Sequence, residues 1–116
     1  DEEGNLIVGS WGAVMEGWGT PELKGSLKSI NIHTKEMKNL GKKPIGNLDG
    51  IEPDGKGSYF VTDWTGAKLY NINKKGKFKV IAEVGKGAAD HEVILDKNLI
   101  IIPVMAEGKV IALKVK

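Results

Sequence analysis

Three times along this chain an apolar run is followed by a glycine and then by a second apolar run, and this recurrence constrains the fold more than any other feature. The copies read Gly4-Asn5-Leu6-Ile7-Val8-Gly9-Ser10-Trp11, Gly57-Ser58-Tyr59-Phe60-Val61-Thr62-Asp63-Trp64 and Asn98-Leu99-Ile100-Ile101-Ile102-Pro103-Val104-Met105. The glycines that follow are Gly25, Gly66 and Gly108, and the second runs are Leu27 to Ile32, Leu69 to Asn73 and Val110 to Val115. Anchored on the first runs, Val8 to Val61 spans 53 residues and Val61 to Ile101 spans 40. Short strands at a period near forty predict propeller blades, and a single blade cannot bury its own faces.

The strand reading is all-β. Leu6-Ile7-Val8, Tyr59-Phe60-Val61 and Leu99-Ile100-Ile101-Ile102 are continuously apolar, as strands covered on both faces are. Met37 to Leu40 and Phe78 to Val84 are more mixed and read as outer strands. Hairpin signals fall at Asp54-Gly55-Lys56-Gly57 and at Asn73-Lys74-Lys75-Gly76-Lys77. Ten strands make about two and a half four-stranded blades of a β-propeller, a fragment of a longer ring. Residues 1–45 form an incomplete blade carrying a flap at 12–25. Residues 46–86 form a complete blade, and residues 87–116 one that lacks its outer strand. The flap, with Met15, Trp18 and Leu23, interrupts the repeat and reads as an ordered, functional insertion. Open edges are sticky, so further blades must come from upstream sequence, a second chain or self-association. A start at Asp1 without methionine suggests a processed product or a fragment.

Composition excludes several classes. Net charge is +2, and the lysines are dispersed with no arginine, unlike the clustered basic and aromatic surface of a nucleic-acid binder. The longest apolar stretch, Leu99 to Met105, is too short to span a bilayer, so no membrane partner is expected. Without cysteine there is neither a disulfide framework nor a thiolate zinc site, and the compartment stays open.

In an up-and-down blade, the turn into the first strand and the turn after the second share one face. That topology gathers Asn47-Leu48-Asp49-Gly50, Ala89-Asp90-His91-Glu92, Ser10-Trp11, Asp63-Trp64 and Met105 at one mouth, with Trp18 folding over it. Asp49 and Asp90 take nearly equivalent places at the starts of inner strands. Carboxylates around a channel suit a hard divalent cation, calcium first, with magnesium or zinc as alternatives. The bland reading is that each aspartate caps its own turn. His91 is a base, a ligand or a satisfied polar residue at a strand start. Trp11 and Trp64 sit at matching positions, which suits packing between blades first and ligand stacking second. Ser10 shows no nucleophile elbow.

The run from Leu48-Asp49-Gly50 through Asp54-Gly55-Lys56-Gly57 to Tyr59-Phe60-Val61-Thr62-Asp63 resembles the signature of the regucalcin, gluconolactonase and luciferin-regenerating-enzyme family. Ala89 to Lys116 is similar to the final blade of bacterial lactonase-like or NHL-like propellers. The resemblance implies a six-bladed propeller with a divalent cation in its channel that hydrolyses small lactones or esters. It also implies that this chain is the C-terminal part of such a protein. Asp49 matches the family's metal-binding, water-activating aspartate, and Asp90 is a second ligand candidate. The family's glutamate and Asn-Gly ligands have no match here. Related NHL propellers share the Asp-Gly pattern and only bind. The alternative is therefore a non-catalytic module that holds a protein or small-molecule ligand at the mouth formed by His91, Trp11, Trp18, Trp64 and Met105.

Overall fold

A computed structural model describes residues 1–13 and 23–116. Among the described residues ten strands run in order: β1 (Leu6–Gly9), β2 (Leu27–Ile30), β3 (Met37–Leu40), β4 (Leu48–Pro53), β5 (Ser58–Asp63), β6 (Lys68–Asn73), β7 (Phe78–Glu83), β8 (Glu92–Ile94), β9 (Leu99–Val104) and β10 (Lys109–Lys114). They form three antiparallel sheets, ordered β1-β2-β3, β4-β5-β6-β7 and β10-β9-β8. The described residues contain no α-helix, only short 3-10 turns at Leu95–Lys97 and Met105–Glu107.

The turns form where polar side chains replace missing backbone partners. Asp54 Oδ1 accepts from the N–H groups of Lys56 and Ser58, and Asn73 Oδ1 accepts from those of Lys75 and Lys77. Gly76 supplies the positive φ (73°) that closes the second of these turns at low steric cost. Asn31 Oδ1 accepts from the N–H groups of His33 and Thr34, which places His33 in an exposed turn.

The middle sheet is the hub. On one face Tyr59, Val61, Tyr70 and Ile72 pack with Leu27, Ile7 and Leu40 of the first sheet. On the other face Phe60 and Leu69 pack with Ile100, Ile102 and Val104 of the third. Five of the six residues of β5 are therefore buried, whereas burial in β9 alternates because one face meets the middle sheet. Fully buried Leu, Ile and Val side chains each contribute about 1.5–3 kcal/mol, so these two clusters provide the main cohesion.

Hydrogen bonds fix how the repeats align. Trp64 N–H donates to the Asn47 carbonyl (3.0 Å), and Met105 N–H donates to the Gly87 carbonyl (2.8 Å). Trp64 and Met105 are thus equivalent. Leu48 faces Asp63 in the ladder as Ala88 faces Val104, so Val61 corresponds to Ile102, one residue beyond the anchor that apolar runs alone suggest. Counting along the inner strands, Asp90 falls at the place of Gly50, not of Asp49. Asp49 and Asp90 are neighbours but not strict equivalents: the extra residue that β4 carries between Leu48 and Ile51 is matched by one between Ala88 and Glu92, so the inner strands keep one register throughout.

Candidate functional site

Two seams hold the sheets together, and the sequence-predicted residues lie along them. Between the first and second sheets, Asn47 is fully buried. Its Nδ2 donates to the Trp11 carbonyl (2.7 Å), and its Oδ1 accepts from the Thr65 hydroxyl. Asp63 is buried beside it and accepts from Asn47 N–H (3.1 Å), Gly66 N–H (3.0 Å) and the Tyr70 hydroxyl (3.2 Å). A Cβ at either Gly46 or Gly66 would collide with this carboxylate, so two glycines make its cage. Burial and then the adjacent Asp63 charge and hydrogen bond push the Tyr70 hydroxyl up to about 12. Asp63 thus pins the turns, and sequence reading placed it at the mouth without assigning that role. The flanking pair Gly46 and Gly66 was the available signal.

Above this node the rings of Trp11 and Trp64 meet with centroids 5.9 Å apart and planes tilted by 53°. Their matching repeat positions bring them into contact as an edge-tilted packing pair between neighbouring sheets. Met105, at the corresponding place in the third sheet, is exposed. Met15 and Trp18 of the flap lie outside the described residues. At the foot of that insertion, Ala13 N–H donates to the Leu23 carbonyl (3.1 Å).

Between the second and third sheets, the Thr62 hydroxyl accepts from Gly50 N–H (2.9 Å) and donates to the Ala89 carbonyl (3.0 Å). Gly50 lacks the Cβ that would lie 2.7 Å from Asp90 Cα and 2.7 Å from His91 Nδ1. This close approach sets Asp49 and Asp90, from adjacent sheets, side by side. Both residues are exposed. Partial burial and then the Asp90 charge raise the Asp49 pKa, and a hydrogen bond from the Asp90 main chain partly offsets the rise. Glu52 is raised in the same sense by burial and by the charges of Glu92 and Asp90. The inner strands therefore present mutually repelling carboxylates that a positive charge would relieve.

His91 lies behind them, only 5% exposed, rather than open at a mouth. Neither ring nitrogen has a hydrogen-bond partner of good geometry. Burial holds its pKa below the usual range, against the opposing pull of Asp90 and the Phe60 main chain. Gly50 accounts for this position, since the hollow over its Cα receives the imidazole.

Among the described residues, no group of three or more His, Asp and Glu side chains is arranged to hold a metal ion. Asp49 and Asp90 supply two carboxylates, short of the roughly six to eight oxygens that calcium takes. This donor set is incomplete for a divalent cation, so no catalytic step follows from it. No protein-family model matches the chain, and no curated protein matches it.

Proposed function

We propose that the three sheets are consecutive blades of a lactonase-like β-propeller, and that Asp49 and Asp90 contribute part of a cation-binding site on its channel side. Three antiparallel sheets packed face to face, each with its strands paired in chain order, support the blade reading. The observation that carries the site is that Asp49 of β4 and Asp90, just before β8, are exposed and within range of each other's charge where the two sheets close on Gly50. Like charges held together favour a bound counter-charge, and oxygen donors favour a hard one such as calcium or magnesium. The remaining ligands would come from other blades of the ring.

Calcium titration monitored by calorimetry tests this reading. Binding by the wild-type protein that is lost in both Asp49→Asn and Asp90→Asn is the expected result. Equal calcium binding by all three proteins removes the carboxylate pair from the site.

A second reading, a non-catalytic propeller that holds a small ligand or a protein at this mouth, has its own support. The imidazole of His91 is enclosed against Gly50, so the one histidine near the carboxylates is not presented as an accessible base. A panel of small lactones and esters, assayed with calcium present, separates the two. Turnover that disappears in Asp49→Asn supports the hydrolase, and calcium binding without turnover supports the binding module.

A further inference from the structure

Two facing rows of side chains fail to match at the end of the second seam. Across the middle sheet, Phe60 of β5, Asn71 of β6 and Lys79 of β7 stand opposite one another in the ladder and so share a face. Phe60 packs into the core shared with the third sheet, so this face is the one turned toward that sheet. The corresponding row of the third sheet, Val93, Ile100 and Leu113, is apolar throughout. Phe60 fits that row, whereas Asn71 and Lys79 offer it nothing apolar to pack on. A groove of about 530 Å³ lies at this mismatch, lined by Phe60, Ile81, Val93 and Leu113 and bordered by Lys79 and Lys114. The hairpin turns of the two sheets also line it, and they meet where Leu95 lies against Gly55, an added Cβ there standing 3.3 Å from Leu95 Cδ1.

The charges around the groove are unbalanced. Asp54, the one acidic side chain in the lining, accepts from Asn71 Nδ2 (3.0 Å) and from its own turn, and the Lys56 charge acts on it as well. Lys79 and Lys114 form no salt bridge with a described residue. A strand lysine is ordinarily a solvated residue that discourages edge pairing. That accounts for either lysine alone, but not for two from separate sheets bordering one apolar gap. We propose that this groove binds a small amphipathic anion, its apolar body on Phe60, Val93 and Leu113 and its anionic head toward Lys79 and Lys114. A mostly apolar pocket of this size with a few polar groups is the common form of a small-molecule site. Asp54 repels the head from the side of its own turn, which leaves the two lysines as the place for it. The groove lies past the ends of β4 and β8, whereas Asp49 and Asp90 lie at their starts, so this site stands apart from the cation reading.

An NMR titration with octanoate tests the proposal, with octylammonium as a control of equal chain length and opposite charge. Octanoate is expected to shift the methyl signals of Ile81, Val93 and Leu113 to saturation, and octylammonium is not. The double variant Lys79→Gln with Lys114→Gln changes only exposed side chains, so its spectrum should otherwise match that of wild type. Its affinity for octanoate should fall about fivefold. Three results would overturn the proposal. Octanoate produces no saturable shift at these methyl groups, both probes shift them equally, or the double variant binds octanoate as tightly as wild type does.

Discussion

Where the first sheet meets the second, Asp63 is buried and accepts hydrogen bonds from Asn47, Gly66 and Tyr70. Where the second meets the third, His91 is buried to a similar depth and has no well-formed partner for either nitrogen. Apolar clusters of similar make-up flank both seams. The difference lies in what the buried polar group does. A satisfied network specifies a single arrangement, whereas an unpartnered polar group costs free energy and has to be tolerated. The first seam is thus a structural lock. The second carries the exposed carboxylates and is the place where the molecule holds unrelieved polarity and charge.

Breaking the lock should have the largest effect. Asp63→Ala leaves Asn47 N–H, Gly66 N–H and the Tyr70 hydroxyl without their acceptor in a buried space. A loss of about 3–5 kcal/mol is expected in thermal or denaturant unfolding. A loss under about 1 kcal/mol would show that the network does not hold the seam.

Thr62→Val conserves shape at the second seam while removing both hydrogen bonds that its hydroxyl makes between Gly50 and Ala89. Here about 1–3 kcal/mol should be lost, less than at Asp63, because no charge is involved. A larger loss for Thr62→Val than for Asp63→Ala would invert the comparison.

His91→Leu should have the smallest effect at neutral pH. It replaces an imidazole that makes no well-formed hydrogen bond with an apolar side chain, so stability is expected within about 1 kcal/mol of wild type, in either direction. Acid sharpens the contrast. The folded-state pKa of His91 is depressed, so its contribution is intact above the ordinary value of 6.5 and declines as pH falls below it. Asp49 and Glu52, with raised values, act in the opposite sense, gaining stability as pH falls through their folded pKa values. The informative quantity is therefore the difference between wild type and variant. His91→Leu should lose less stability than wild type between about pH 6.5 and pH 5, as measured by urea unfolding. Parallel pH profiles would mean that His91 is protonated as readily folded as unfolded.

The contrast between the seams also explains what could be read from the chain. All ten strands were legible, because runs such as Tyr59-Phe60-Val61 and Leu99-Ile100-Ile101 stand between turn signals at Asp54-Gly55 and Asn73 to Gly76. Trp11 and Trp64 were paired correctly from their matching positions, since equivalent residues of stacked repeats meet. The roles of Asp63 and His91 were not legible. An aspartate ending a strand reads the same whether it is solvated or caged, and the cage depends on Gly46 and Gly66 each lying against its carboxylate. His91 reads as a mouth residue until Gly50 is seen to open a hollow beneath it. The one-residue offset between Asp49 and Asp90 emerges only when the ladder pairings are counted, because hydrophobic runs alone do not fix the register.

The central claim is that Asp49 and Asp90 converge from separate sheets as a like-charged pair. Its most direct test is an NMR titration of the Asp49 carboxyl carbon in wild type and in Asp90→Asn. The account predicts a wild-type midpoint above the ordinary 3.8 that moves down when the Asp90 charge is removed. An unchanged midpoint in the variant would show that the two carboxylates do not interact, and the cation site proposed between the inner strands would go with them.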